Sequence, residues 1–111
     1  MSQGGGNELV FVVAVSSFTE RGFLGSASYQ GQSVGLEFDE GDEGVFLTPE
    51  MCKRLGVKKG SKVLLVVEAE DQPKATEATL AGMAPKPRIS SAKVYYELGR
   101  EGGAILKVRK V

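Results

Sequence analysis

Two stretches of the chain are apolar and rich in β-branched residues, which is typical of buried strands. The first runs from Leu9 to Val15 and the second from Lys62 to Ala69. The first is a continuous apolar run, which predicts a strand covered on both faces, and the second predicts another strong strand. Between them, 33–38 alternates polar and apolar residues and predicts a half-buried strand. The pattern as a whole predicts a β-rich domain.

Two short helices interrupt the predicted strands. Thr48 suits the N-cap of the first helix, and Gly56 is placed to end it in the left-handed conformation. Met51 and Leu55 lie four residues apart, so they share the face that packs on the core. The second helix is predicted near Ser91 to Leu98.

The chain resembles itself at an offset of 43 residues. F-L-T-P-E-M-C-K-R-L-G-V-K-K-G-S-K-V-L-L-V, which begins at Phe46, aligns with I-S-S-A-K-V-Y-Y-E-L-G-R-E-G-G-A-I-L-K-V-R, which begins at Ile89. The matches fall on the helix caps Thr48 and Ser91 and on Gly56 and Gly99, where the helices are predicted to end. Because each match has a structural role, the alignment indicates a duplicated unit of strands around one short helix.

Two such units predict an all-β fold with two short helices, namely a closed six-stranded β-barrel built from two pseudo-symmetric halves. The halves are predicted at about 8–62 and 63–111. A chain of 111 residues fits one domain. We therefore expect a single β-barrel domain at 8–111, preceded by a flexible tail at 1–7.

The segment from Val45 to Val66 resembles the motif of double-psi β-barrels and their swapped-hairpin relatives. This group includes the N-terminal substrate-recruiting barrels of VAT-type AAA ATPases, the C-terminal domains of molybdopterin oxidoreductases, aspartate decarboxylases and the AbrB/MazE transition regulators. The resemblance covers 45–67 well and 88–111 loosely. It implies a double-psi-like barrel but transfers no function, because the motif carries no catalytic residue.

Composition excludes several kinds of site. The chain has no histidine, and Cys52 is its one cysteine. These counts exclude Ser-His-Asp and Cys-His catalysis, histidine-ligated zinc and an internal disulfide. No catalytic residue, cofactor or metal is predicted. A lone cysteine suits a reducing compartment, so we expect a cytoplasmic protein, and no apolar run is long enough to cross a membrane.

One enzyme alternative remains open because of the resemblance to aspartate decarboxylases. Such an enzyme cleaves its own chain at a Gly-Ser bond to make a pyruvoyl group, and Gly25-Ser26 provides that dipeptide. Gly-Ser is common in loops, so a non-catalytic module is the leading interpretation. A break in the chain before Ser26, seen by intact mass, would revive the enzyme alternative.

Charge is unevenly spread along a chain that is neutral overall. Residues 1–50 hold eight acids and one base, whereas 51–111 hold thirteen bases and six acids. Such asymmetry predicts opposed surface patches that steer a partner. The leading function is a binding or adaptor module for a protein partner, with contacts in the segment 18–32 and in an exposed acidic loop at 39–44. The predicted contact residues are Phe18, Phe23, Tyr29, Asp39, Glu40, Asp42 and Glu43.

Two other functions remain as alternatives. An AbrB-like nucleic-acid-binding protein would hold phosphates with a lysine-rich surface. Its predicted residues are Lys53, Arg54, Lys58, Lys59 and Lys62, and the surface could extend to Lys86, Arg88, Lys107, Arg109 and Lys110. The third function is a structural component of a larger assembly, such as a virion or a multisubunit enzyme.

Overall fold

The structure is a computed structural model. It describes residues 8–18, 23–68, 73–101 and 103–111, with side chains at 8–14, 27–41, 44–68, 73–98 and 104–111. Within these residues the chain is mostly β with two short helices, which confirms the predicted class. The predicted tail at 1–7 lies outside the described residues.

The described residues form nine strands and two helices. The strands are β1 (Glu8–Phe18), β2 (Phe23–Tyr29), β3 (Gln32–Val34), β4 (Glu37–Asp39), β5 (Asp42–Leu47), β6 (Lys62–Glu68), β7 (Pro73–Met83), β8 (Arg88–Ser91) and β9 (Gly103–Lys110). The helices are α1 (Pro49–Leu55), between β5 and β6, and α2 (Ala92–Glu101), between β8 and β9.

All nine strands belong to one sheet with the order β3-β2-β1-β9-β6-β7-β5-β8-β4. β3 and β4 lie at opposite ends of this order, yet only Gly35 and Leu36 separate them in the chain. Because one residue spans at most about 3.6 Å, the step from Val34 to Glu37 covers about 11 Å at most. The two ends of the sheet are therefore close together, and the sheet curls into a barrel-like shape. The predicted count of six strands is not confirmed.

Two of the strand pairs are parallel, namely β5 with β7 and β4 with β8. The other pairs are antiparallel, including β5 with β8 and β6 with β9. β7 has two partners: its residues 73–79 pair with β6, and 79–83 pair with β5. Parallel neighbours need a crossover connection, so the described sheet is not a simple meander in which each strand pairs with the next one in the chain.

The core lies inside the curl and is made by alternate residues of the strands. In β1, Leu9 and Phe11 are fully buried, whereas Val10 and Val12 are 39% and 55% exposed. A sheet curled around one core has a single inner face, so every second residue of β1 points away from it. The prediction that β1 is covered on both faces is therefore wrong.

Both predicted helix starts are confirmed. The Thr48 hydroxyl accepts a hydrogen bond from the backbone N–H of Met51 at 3.2 Å, and the Ser91 hydroxyl accepts one from Val94 at 3.4 Å. Gly56 ends α1 with φ 73°, in the left-handed region. α2 instead continues to Glu101. α2 therefore extends three residues beyond the predicted end near Leu98, and that predicted end is wrong.

Two predicted segments have different boundaries in the structure. The half-buried strand predicted at 33–38 is broken, because β3 ends at Val34 and β4 begins at Glu37. The exposed loop predicted at 39–44 is reduced to Glu40 and Gly41, since both flanking segments join strands. Strand pairing satisfies the backbone groups that a loop would leave to water.

Candidate functional site: a basic cleft beside the β2–β3 hairpin

A cleft of about 600 Å³ opens between three segments that are distant in sequence. One wall is the hairpin of β2 and β3, with Tyr29 and Gln32. The second wall is α1, with Lys53 and Arg54, and the third is the connector between β7 and β8, with Lys86. We call this cavity the hairpin cleft. It has the size of a site for a small ligand or a few residues of a peptide.

The hairpin wall is anchored to the core through Tyr29. Its ring stacks on Phe11, with 5.2 Å between ring centroids and 29° between planes. Tyr29 is half-buried, so it is not the exposed anchor that was predicted, although part of it faces the cleft. Phe18 and Phe23 are paired across β1 and β2, and their side chains lie outside the described residues.

The helix wall presents cations because the opposite side of α1 is buried. Met51, Cys52 and Leu55 pack into the core, and the helical period then places Lys53 and Arg54 towards solvent. Both are exposed and lie in the last turn. Positive charge there also interacts favourably with the carboxyl end of the helix dipole. The local sequence thus places two cations at the cleft without strain.

A third cation comes from the connector. Lys86 lies between Pro85 and Pro87, whose rings restrict the backbone. Its stem lies over Gly35, where an added Cβ would be 3.3 Å from Lys86 Cδ and 3.7 Å from its Nζ. The Pro87 carbonyl accepts a hydrogen bond from the backbone N–H of Glu37 at 3.2 Å. These contacts hold Lys86 beside the end of β3.

The hairpin cleft has an excess of positive charge. Its three cations face one carboxylate, that of Glu50. None of Lys53, Arg54 and Lys86 forms an ion pair with a described residue. A concave surface lined by one sign of charge focuses the field and concentrates ligands of opposite sign. The cleft therefore favours an anionic ligand.

The other lysines predicted to bind nucleic acid lie outside the cleft. Lys58 and Lys59 belong to the turn after α1, and Lys62 begins β6; all three are exposed. Lys110 joins this group, because its Nζ lies 3.9 Å from the position of a Cβ added at Gly56. The predicted set is thus divided between the cleft and the adjacent turn.

Part of the wider basic surface is neutralised by ion pairs. Three of the cations in the predicted extension are held by carboxylates of neighbouring strands. The pairs are Arg88–Asp39 at 2.5 Å, Lys107–Glu68 at 3.1 Å and Arg109–Glu8 at 2.6 Å. A cation that is already paired contributes less to phosphate binding, so the extension is weaker than its residue count indicates.

The acidic segment is partly engaged within the fold. Asp39 accepts hydrogen bonds from the Arg88 guanidinium and the Ser90 hydroxyl. Burial acts to raise the pKa of Asp39, but the bonds from Ser90 and Arg88 and the charge of Arg88 outweigh it and hold that pKa below its usual value. This carboxylate is 21% exposed, so only a small part of it can reach a partner.

The next acid of the segment also has an internal contact. Glu40 accepts a hydrogen bond from the Tyr96 hydroxyl, and this bond raises the pKa of Tyr96. Tyr96 is 61% exposed, so the pair lies on the surface. The side chains of Asp42 and Glu43 lie outside the described residues. Any role of the four acids in partner binding stays a prediction.

The environment of Cys52 does not suit a nucleophile. Cys52 is 1% exposed, and burial raises the pKa of its thiol, which is the opposite of what a reactive thiolate needs. Among the residues with described side chains, no three of Cys, Asp and Glu are placed to hold a metal ion. The dipeptide Gly25-Ser26, on which the enzyme alternative depends, lies in strand β2, where Gly25 pairs with Val15 and Ser26 pairs with Ala14.

The cleft combines residues that sequence patterns had assigned to different partners. The sequence predicts that Tyr29 contacts a protein, whereas it predicts that Lys53 and Arg54 contact nucleic acid. Gln30 and Gln32 also line the cleft, and their one signal in the sequence is the turn at Gly31 between them. The convergence depends on the pairing of distant strands, which no local pattern reports.

Neither helix in the described part of the chain is long and apolar enough to span a membrane. No protein-family model, curated protein or solved structure matches the chain.

Proposed function

We propose that this chain is a non-catalytic binding module that holds a segment of a protein partner in the hairpin cleft. The observation that carries the proposal is the convergence on one cavity of Tyr29, Gln32 and three cations that form no ion pair with a described residue. Protein interfaces are enriched in tyrosine and arginine, which combine apolar surface with hydrogen-bond donors. The excess of cations favours a partner segment that carries carboxylates.

Nucleic-acid binding is the second candidate, and one observation favours it. Lys58, Lys59 and Lys62 follow closely after α1, and Lys110 pairs with Val63, the residue after Lys62; a cluster of cations can hold several phosphates. Salt-dependent retention of the protein on DNA tests this candidate. Retention that is unchanged in a Lys58→Ala/Lys59→Ala variant would discard it.

The proposal about the fold is a double-psi-like barrel of two halves. Its support is a correspondence of strand partners: β7 pairs first with β6 and then, in parallel, with β5. In the other half β1 pairs with β9, and β4 pairs in parallel with β8. The 43-residue offset relates β6 to β9 and β5 to β8. β1 and β4 therefore have the partners that correspond to those of β7, and the β2–β3 hairpin lies between them in the chain. On this proposal the inserted hairpin accounts for the additional strands and supplies one wall of the cleft.

Selection from a library of random displayed peptides tests the proposed binding function. We expect enriched peptides to carry Asp or Glu and to bind the Lys53→Glu/Lys86→Glu variant about tenfold more weakly, because two favourable charge interactions become repulsive. The matched control is Lys58→Glu/Lys59→Glu, which changes the charge equally outside the cleft. Peptides that lose equal affinity for both variants would contradict the proposal.

A further inference from the structure

We infer that the partner segment is an acidic, extended peptide that adds as a strand to the free edge of β3. The inference rests on the proposed function of the hairpin cleft and deepens it. It names the conformation of the ligand and the backbone groups that bind it. Three observations support it, namely the register of the β2–β3 hairpin, the position of β3 in the sheet and the cations that border it.

The hairpin turn determines which backbone groups face outwards. Gln30 and Gly31 have φ of 54° and 77°, as in the two-residue type I′ turn of β-hairpins. Such a turn places a hydrogen bond between its flanking residues, here Tyr29 and Gln32. Hydrogen-bonded and non-hydrogen-bonded pairs alternate along an antiparallel ladder. The next pair, which contains Ser33, is therefore non-hydrogen-bonded, and the N–H and C=O of Ser33 point away from β2.

β3 lies at the end of the sheet and pairs, among the described residues, with β2 alone. Natural edge strands are commonly protected from added strands by lysine, proline or other charged residues. The other edge, β4, follows this rule, because it carries Glu37 and Asp39 and is tied to β8 through Arg88. β3 is equally short but has the uncharged sequence Q-S-V, so no charge of its own opposes an added strand.

The charges beside the edge determine the chemistry of the added strand. Lys86 lies against Gly35, the residue that follows β3, while Lys53 and Arg54 form the facing wall of the same cleft. Main-chain hydrogen bonds to an edge give affinity for any extended segment, and the surrounding side chains give specificity. Alternate side chains of an added strand point to one side, so acidic residues at alternate positions would face the cations together.

An octapeptide of alternating glutamate and valine, labelled with fluorescein, is the probe for the test. Its affinity is measured by fluorescence anisotropy for the full chain and for Ser33→Pro, which removes the outward N–H. Ser33→Ala is the matched control because it keeps the backbone donor. We expect a loss of about tenfold or more for Ser33→Pro and a change within about twofold for Ser33→Ala. A second measurement needs no variant: the peptide should slow hydrogen exchange of the Ser33 amide.

The outcomes separate this inference from the proposed function. Weaker binding to Lys53→Glu/Lys86→Glu, with no effect of Ser33→Pro and no protection of the Ser33 amide, overturns strand addition and leaves the cleft as the binding site. Absence of binding at millimolar peptide, or equal binding to the charge-reversed variant, overturns both. If an oligothymidylate binds the cleft more tightly than the peptide does, the cleft is assigned to nucleic acid. If self-association of the protein competes with the peptide, the cleft is assigned to a second copy of the chain. Either result also overturns both.

Discussion

The guanidinium of Arg88 donates two hydrogen bonds to one carboxylate oxygen of Asp39, from Nε at 2.9 Å and from Nη2 at 2.5 Å. The hydroxyl of Ser90 donates to the other oxygen. Arg88 and Ser90 belong to β8, whereas Asp39 ends β4, an edge strand of three residues. A strand this short has few ladder bonds, so the Asp39 carboxylate is a substantial part of its attachment.

Acid should weaken this attachment. The pKa of Asp39 is below its usual value of 3.8 because the bonds and charge described above outweigh the opposing effect of burial. A carboxyl group with a lowered pKa in the folded state stabilises the fold above its unfolded pKa, and the contribution is lost as pH falls through the folded pKa. Urea unfolding measured from pH 7 to pH 2 should therefore show a steeper loss of stability below about pH 4 for wild type than for Asp39→Asn. Parallel curves would contradict this.

Gly41 is predicted to be intolerant of any side chain. A Cβ at this position would lie 2.6 Å from Ser90 Oγ and 2.9 Å from Asp39 Oδ1, inside the hydrogen-bond network that holds β4. We expect Gly41→Ala to lower the free energy of unfolding by about 1–3 kcal/mol, as overpacking does elsewhere. Gly44→Ala is the matched control, because its Cβ would meet its nearest neighbour at 3.8 Å. Equal urea midpoints for the two variants would refute the prediction.

The two helix caps should contribute similarly to stability. Thr48 and Ser91 each accept a hydrogen bond from the backbone N–H three residues later. Thr48→Ala and Ser91→Ala should each lower the free energy of unfolding by about 1 kcal/mol. Thr48→Ser keeps the hydroxyl group, so it should lower the free energy of unfolding much less than Thr48→Ala does. Thermal or urea unfolding measures these differences. A Thr48→Ser variant as unstable as Thr48→Ala would show that the lost methyl group, rather than the cap, carries the effect.

Cys52 should be unreactive in the folded protein. Its side chain is buried, and burial raises the pKa of the thiol, so little thiolate is present near neutral pH. Reaction with a disulfide reagent at pH 8 should be slow without denaturant and fast in urea. Cys52→Ser should also be less stable than Cys52→Ala, since it buries a hydroxyl in an apolar site. Rapid labelling of the native protein would contradict the burial.

The starts of both helices and the end of α1 were predictable from the sequence. Thr48, Gly56 and Ser91 act through hydrogen bonds or φ angles within a few residues, so short patterns contain the information. α2 is less predictable, because packing of Val94 and Leu98 on the core can extend a helix through Gly99 despite its low helix propensity.

The sheet and the cleft were less predictable because they depend on pairs of distant residues. The alternation in β1 was masked by Val10 and Val12, which are apolar although they face outwards. The cleft needs α1, the hairpin and Lys86 to meet, and this depends on the order of nine strands. A repeat offset indicates duplication, but it does not report where the proposed insertion of a hairpin lies.

The two-residue link between β3 and β4 has a consequence for the folding pathway. The β2–β3 hairpin joins neighbours in sequence and can form within microseconds, whereas Asp39 must find Ser90 across 51 positions of chain. Once the hairpin has paired with β1, the short link of Gly35 and Leu36 keeps β4 close to its position beside β8. The loss of chain entropy when β4 pairs with β8 is then smaller. The hairpin would then act as a guide for closing the sheet, and lengthening this tether with glycines should slow folding more than it accelerates unfolding.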